Sequence, residues 1–297
     1  MPKVELGIHT GPQDIELDEL RKLWRYCDEN GWDWISVWDH LYESPPRDGN
    51  GPAYEAIASL SALAMETQRV RVSCLVFCMA YRNPALLAKA LTTIDHLSHG
   101  RLTVGLGAGW HVPEHEGFGY DYPGVKERLD RLSEGVRIVR MMLTQERSTF
   151  EGRYYRVNNV ANYPQPVQAR VPIILGGGGE QRSLRIAALR ADGSNQTYMS
   201  AETFRQKQAV LDEWCEYYKR DPKTLERSVN LHFLMSSKDP DRDPEQRGAI
   251  WGRPQQVIDQ LGPYVDAGAQ RINVAVRPPL DWDALHAYTE EVIPAFR

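Results

Sequence analysis

Short runs of apolar and β-branched residues alternate along this chain with longer stretches whose apolar positions recur at helical spacing. The runs predict strands at Val4–His9, Trp34–Trp38, Val70–Phe77, Leu102–Gly107, Val171–Leu175, Ala191–Thr197, Val229–Met235 and Arg271–Val276. Helical periodicity begins near Leu17, Tyr54, Pro84, Lys126, Gln181, Ala201, Arg253 and Asp281. A repeated strand–helix order predicts a parallel sheet covered by helices. Eight such units favour closure into an α/β fold of the (β/α)8 TIM barrel type over an open sheet. Local chemistry agrees. Asn83-Pro84 offers an N-cap followed by proline at the first helical position, Ser200 can cap the helix from Ala201, and Gly31 suits the residue just past the first helix.

Two stretches interrupt the alternation. Trp110–Lys126 is rich in Gly, Pro, His and Tyr, and Ser236–Trp251 is polar with two Asp-Pro steps. Both are predicted as loop insertions at the C-terminal face, where barrel enzymes build their active sites. Thr149–Val157 reads as a small hairpin before the fifth strand.

Length and composition sharpen this picture. A barrel takes about 250 residues, so residues 1–297 are expected to form one domain. With 42% hydrophobic and 25% charged residues the chain can fill a large core. A net charge of −5 with no Lys/Arg block argues against a nucleic-acid binder, so local basic groups must attract any anionic cofactor. Met1–Thr10 has no secretory pattern, and Val70–Ala80, the most apolar segment, is too short to span a bilayer. Cys27, Cys74, Cys78 and Cys215 form no C-x-x-C pair and read as reduced, buried thiols of a cytoplasmic protein. The expected partner is a small-molecule substrate, with no nucleic acid and no membrane, and self-association to a homodimer is left open.

Several strings could carry chemistry. Gly105, Gly107 and Gly109 end a strand in Arg101–Trp110, without the spacing or the later acid of a dinucleotide fingerprint. They allow either close approach of a planar ligand or phosphate, or a tight strand exit. Ile173–Leu175 runs into Gly176, Gly177, Gly178 and Gly179 before a helix, a geometry that gathers free N–H groups for a phosphate, with Arg182 and Arg185 in reach. A flexible turn is the alternative. Asp39-His40 ends the second strand, where it can do acid–base work or merely cap a turn. His111-Val-Pro-Glu-His115 matches a zinc-protease spelling, but Pro113 and the preceding glycines argue against the helix that chemistry needs, so no metal is expected. Trp38 and Trp110, at strand ends, could wall a planar cofactor.

The string Tyr81–Trp110, with Arg82-Asn-Pro-Ala-Leu-Leu-Ala-Lys89, Thr93-Ile-Asp-His-Leu-Ser-His-Gly-Arg101 and Gly105-Leu-Gly-Ala-Gly-Trp110, resembles the luciferase-like monooxygenase superfamily. The likeness continues through Gly31–His40, Phe150–Tyr155, Pro164–Gly179 and Ala191–Gly193. It implies a barrel with its cofactor at the C-terminal mouth and, within the superfamily, the group of oxidoreductases dependent on the deazaflavin coenzyme F420. By that resemblance Asp39 and His40 contact the ring or move its proton. Ser73, Cys74 and Leu75 match a cis non-prolyl peptide behind the ring, expected between Cys74 and Leu75. Gly107, Ala108 and Gly176–Gly179 match the segments that hold phosphate and ribityl tail. Relatives that oxidise glucose 6-phosphate carry a glutamate where Trp110 stands and a tryptophan near Ser44, so another substrate is expected. The alternatives are a flavin mononucleotide (FMN)-dependent monooxygenase and a flavin-binding protein without turnover.

Overall fold

The structure of the protein is a computed structural model describing residues 4–43, 49–241 and 243–297. Ser44, where glucose-6-phosphate-oxidising relatives place a tryptophan nearby, lies outside the described residues, as do Met1–Lys3 of the N-terminal stretch and Arg242 of the second loop.

Eight parallel strands close into the predicted barrel: β1 (Glu5–His9), β2 (Trp34–Val37), β3 (Arg71–Cys78), β4 (Leu102–Gly107), β5 (Ile173–Gly176), β6 (Gly193–Thr197), β7 (Glu226–Phe233) and β8 (Arg271–Ala275). Each pairs with the next, and β8 returns to β1 with Glu5 opposite Arg271 and His9 opposite Ala275. The strand positions fall within three residues of those predicted. Helices follow the strands as expected. Asn83 Oδ1 accepts from the Ala85 amide ahead of Pro84–Leu97, Ser200 Oγ from the Thr203 amide ahead of Ala201–Tyr217, and Gly31 has φ +84° after the first helix.

The alternation along each strand sorts two environments. Leu6 and Ile8 of β1 face the helix layer and join the apolar core, where Trp24 and Trp32 are fully buried. Burial of a large apolar side chain contributes about 1.5–3 kcal/mol. Their neighbours Gly7 and His9 face the lumen, where a Cβ on Gly7 would lie 2.3 Å from Asn273 Oδ1. The lumen itself is polar. Asn195 Nδ2 donates to Ser228 Oγ and to Asn230 Oδ1, both at 3.0 Å, and Asn273 Nδ2 donates to Asn230 Oδ1 at 2.9 Å. These bonds tie β6, β7 and β8 across the barrel and explain how the polar run Gly193–Thr197 can be a buried strand.

Both insertions are at the mouth. Trp110–Lys126 is not all loop, since Val112–Gly117 is helical. Pro113 falls in its first turn, where no N–H is needed, so the proline permits the helix that it was expected to prevent. Within Ser236–Trp251, Ala249–Ile250 adds a short strand beside β7. The hairpin predicted at Thr149–Val157 forms from Arg147–Glu151 and Arg156–Ala161. All four cysteines are unpaired and buried, and no helix among the described residues is long and apolar enough to cross a membrane.

Candidate active site

A cavity of about 420 Å³ opens at the barrel mouth, within the about 300–1,000 Å³ usual for ligand sites. Its wall is drawn from strand ends round the barrel: His9 at the end of β1, His40 after β2, Leu75 and Val76 in β3, Ala108 after β4, Gly176 and Gly177 at β5, and Arg277 after β8.

The wall at β3 is set by a break in the ladder. Cys74 keeps register with Val37 and Val104, but the pairing with β4 resumes only at Phe77 opposite Leu106. The non-prolyl cis peptide is Leu75–Val76, one bond later than the expected Cys74–Leu75. The correction has a physical reason: Cys74 is still held by the ladders on both sides, so the chain departs only after it. Leu75 and Val76 therefore line the cavity, whereas Ser73 and Cys74, fully buried, do not reach it.

The alternating glycines answer to this departure. A Cβ on Gly105 would lie 2.2 Å from the Cys74 carbonyl oxygen. One on Gly107 or Gly176 would lie 2.4 or 2.7 Å from a Val76 methyl. Gly105 and Gly107 make room for protein, and Gly107 and Gly109 line the cavity together with Val76. Gly109, at φ +78°, also needs to be glycine, since a Cβ would meet Cys78 Sγ at 2.5 Å.

Of the four-glycine run, Gly176 and Gly177 line the cavity, together with Ser183 at the start of the helix Ser183–Arg190. Gly178 and Gly179 do not line it. Gly177 has φ +120°, and its N–H donates to the Asn195 carbonyl at 3.3 Å. The two arginines are engaged elsewhere. Arg182 pairs with Asp130, and Arg185 donates to the Tyr218 hydroxyl at 2.6 Å while lying over Trp214.

Asp39 and His40 part company, as successive residues of an extended segment must. Asp39 is among the residues lining the cavity, with its side chain buried. It accepts from Arg82 Nη1 at 2.6 Å, Arg82 Nη2 at 2.9 Å and the Cys78 amide at 2.9 Å. Burial pushes its carboxyl up, and the Arg82 charge and hydrogen bonds oppose that rise. Burial, reinforced by the Asp39 charge, pushes the Cys78 thiol up to about 12, so it stays protonated.

His40 turns to the cavity. Its Nδ1 sits 3.0 Å from both oxygens of Glu114, and the edge of Trp110 packs on it at 5.4 Å. Glu114 is wholly buried. Its Oε1 accepts from the amides of Leu41 at 2.6 Å and Tyr42 at 3.0 Å, and its Oε2 from the Tyr81 hydroxyl at 2.6 Å. Burial pushes this carboxyl up, but the bonds from His40, Tyr81 and Tyr42 outweigh it and hold the group down at about 2. His9, also on the wall, is pushed down to about 3 by burial and by the Arg277 charge, and its Nδ1 meets Ser36 Oγ at 2.9 Å.

His40, His111 and Glu114 offer ligand atoms within 4.8 Å of one another, a composition that metals use. This is not the pair that the His111–His115 spelling suggested, because His115 Nδ1 is bonded to the Asp121 carbonyl at 3.0 Å. The Glu114 oxygens already face two backbone amides, a hydroxyl and two imidazoles, with His111 Nδ1 3.2 Å from Oε2, which fills the about four lone-pair directions of a carboxylate. The trio reads as a hydrogen-bonded cluster. Sequence reasoning gave Glu114 no link to His40, and it passed over Val76, Cys78 and Arg277 as wall residues.

A family model described as luciferase-like monooxygenase matches residues 2–243. Over 283 residues the chain is 28% identical to a protein of Gordonia bronchialis named F420-dependent glucose-6-phosphate dehydrogenase, covering 94% of this chain and 82% of that one. Among solved structures it is similar to an F420-dependent secondary alcohol dehydrogenase in complex with an F420-acetone adduct, with TM-score 0.87, 19% identity and full coverage, 100% of each chain. It is also similar to the oxygenating constituent of 3,6-diketocamphane monooxygenase of Pseudomonas putida in complex with FMN, with TM-score 0.79, 16% identity and 98% of each chain covered. These two likenesses establish a shared fold.

Proposed function

Because the chain belongs to the luciferase-like monooxygenase family, we propose that it is an oxidoreductase that uses coenzyme F420 to transfer a hydride to or from a small organic substrate. His40 handles the accompanying proton. The observation that carries this reading is a histidine facing a ligand-sized cavity at a barrel mouth, beside an apolar ledge pushed out of the sheet.

The cavity suits a flat heterocycle with an anionic tail. Leu75 and Val76 give apolar surface for a ring, and Asn195 and Thr197 give an amide and a hydroxyl for its polar edge. Gly176 and Gly177 lead to Ser183 and a helix amino end, which favours a phosphate. When bound, F420 supplies a two-electron hydride acceptor and donor. The chain supplies the rest. The apolar ledge and Leu129 keep water from the reacting centre. His40 takes a proton from an alcohol or returns one to a reduced product. Asp39, fixed by Arg82 and the Cys78 amide, ties the end of β2 to β3 and thereby places His40. By the same resemblance that points to F420, Trp110 in place of a glutamate directs the site to a substrate other than glucose 6-phosphate.

Fluorescence or calorimetric titration with F420 and FMN tests the cofactor. Tighter binding of F420 is the expected result. Tighter binding of FMN replaces this reading with a flavin monooxygenase, and binding of neither removes the oxidoreductase reading altogether.

A further inference from the structure

We infer that Glu114 is a positioning residue that fixes His40 in the tautomer protonated at Nδ1 and so leaves the lone pair of Nε2 for the cavity. The inference rests on His40 being the proton-handling group proposed above. Its basis is the contact pattern around one buried carboxylate. Two backbone amides, Leu41 and Tyr42, donate to Oε1. The Tyr81 hydroxyl donates to Oε2. A group that receives this many donors is an ionised carboxylate, which accepts only and cannot donate. His40 Nδ1, at 3.0 Å from both oxygens, must therefore carry the hydrogen. A neutral imidazole has one donor and one acceptor nitrogen, so Nε2 is the acceptor.

The anchoring is tight because both ends of it are held. Glu114 lies in the short helix Val112–Gly117 from the insertion after β4, and the amides that grip it follow His40 directly in sequence. The same carboxylate thus places the backbone after β2 and orients the ring that projects from it. A histidine held only by solvent could present either nitrogen to the cavity. Here the wrong tautomer would put the N–H on Nε2, toward the cavity, and leave Nδ1 without a hydrogen facing an acceptor-only group. In hydrolases where a carboxylate fixes a histidine tautomer in this manner, its exchange for an amide costs about 10⁴ in turnover.

The isosteric substitution Glu114→Gln is informative because the site dictates its orientation. The amide oxygen must take the Oε1 position to receive the Leu41 and Tyr42 N–H groups. The NH2 group then stands at the Oε2 position, facing the Tyr81 hydroxyl and His40 Nδ1. A donor there, which also faces His111 Nδ1, opposes a hydrogen on His40 Nδ1 and leaves it only the amide oxygen at the Oε1 position, so the balance shifts toward the ring hydrogen on Nε2.

The test is 15N NMR of the full chain labelled at histidine, free of cofactor, at a pH where the imidazole is neutral, with His40→Gln identifying the His40 signals. In the wild type Nδ1 is expected to be protonated and Nε2 to be the unprotonated nitrogen. In Glu114→Gln the fraction protonated at Nε2 should rise. A wild-type His40 protonated at Nε2 overturns the inference without any variant, so misfolding of Glu114→Gln cannot shelter it. An unchanged tautomer in a folded Glu114→Gln chain overturns it as well. The readout needs neither cofactor nor substrate, so its failure is separable from a failure of the F420 reading, which the titration decides.

Discussion

Removing Arg82 should cost this protein far more stability than an ordinary surface arginine. Asp39 is a carboxylate with no exposed side-chain surface, and its charge is balanced by a two-pronged Arg82 contact that is itself only 12% exposed. Arg82→Met keeps most of the side-chain volume and leaves that carboxylate buried and uncompensated. Breaking one side of such a pair costs about 3–5 kcal/mol. The second partner of Arg82, Glu55, is 44% exposed, and an ion pair of that kind adds only about 0–1 kcal/mol. The loss should lower the thermal midpoint by roughly 5–8 °C and shift urea unfolding at constant slope. The pH dependence has a definite sign. Burial already raises Asp39, and without Arg82 its folded-state pKa rises further above the unfolded value, which is about 3.9. The folded variant then binds the proton more tightly than the unfolded chain. Its deficit is largest near neutrality and shrinks as the pH falls through the raised pKa. Urea melts at two pH values measure this. A double variant, Arg82→Met with Asp39→Asn, should regain much of the loss, because the uncompensated charge is gone. A single variant within about 1 kcal/mol of wild type, or a double variant no better than the single, would refute the reasoning.

Two further substitutions separate chemistry from binding. His40→Ala should lower kcat by roughly 10²–10⁴ while cofactor affinity, measured by titration, changes far less; wild-type turnover on an identified substrate would move the proton to another group of the Trp110–Tyr122 loop. Gly177→Val should weaken F420 binding by about tenfold or more with the fold intact, because the residue lines the cavity at φ +120°, where a β-branched side chain is strained; unchanged affinity in a folded variant would make the glycine run a turn and nothing more.

The barrel was legible in the sequence because its outward strand faces and its helices obey local rules: apolar alternation, caps at Asn83 and Ser200, and a glycine after the first helix. The site was legible in part, since His40 and the β5 glycines announced themselves by position. What stayed hidden shares one property. The Asp39–Arg82 contact spans 43 residues and the His40–Glu114 contact spans 74. No spacing rule links such positions, so Glu114 was visible only within a zinc-like spelling. The Arg182 pairing was hidden for a related reason. A cation near a helix start is available to a phosphate only if no nearer anion takes it, and Asp130, contributed by a different helix, does so.

The glycines make the same point at the level of packing. Read along the chain, Gly105 and Gly107 alternate as though lining a ligand path, and Gly176 opens a loop. Read across the sheet, they flank one distortion. β3 leaves its ladder between Cys74 and Phe77, and the next two strands round the barrel, β4 and β5, must lack a Cβ where Val76 goes. Gly107 on β4 and Gly176 on β5 are both in contact range of its methyls. The absence of side chains on two strands thus makes room for a side chain on a third, and that valine forms part of the cavity wall. The ledge stands at the same mouth as His40, whose Nδ1 a buried carboxylate holds. An apolar shelf and an oriented proton carrier, each fixed by residues distant in sequence, are the two things a bound heterocycle needs from its protein in order to exchange a hydride with a substrate.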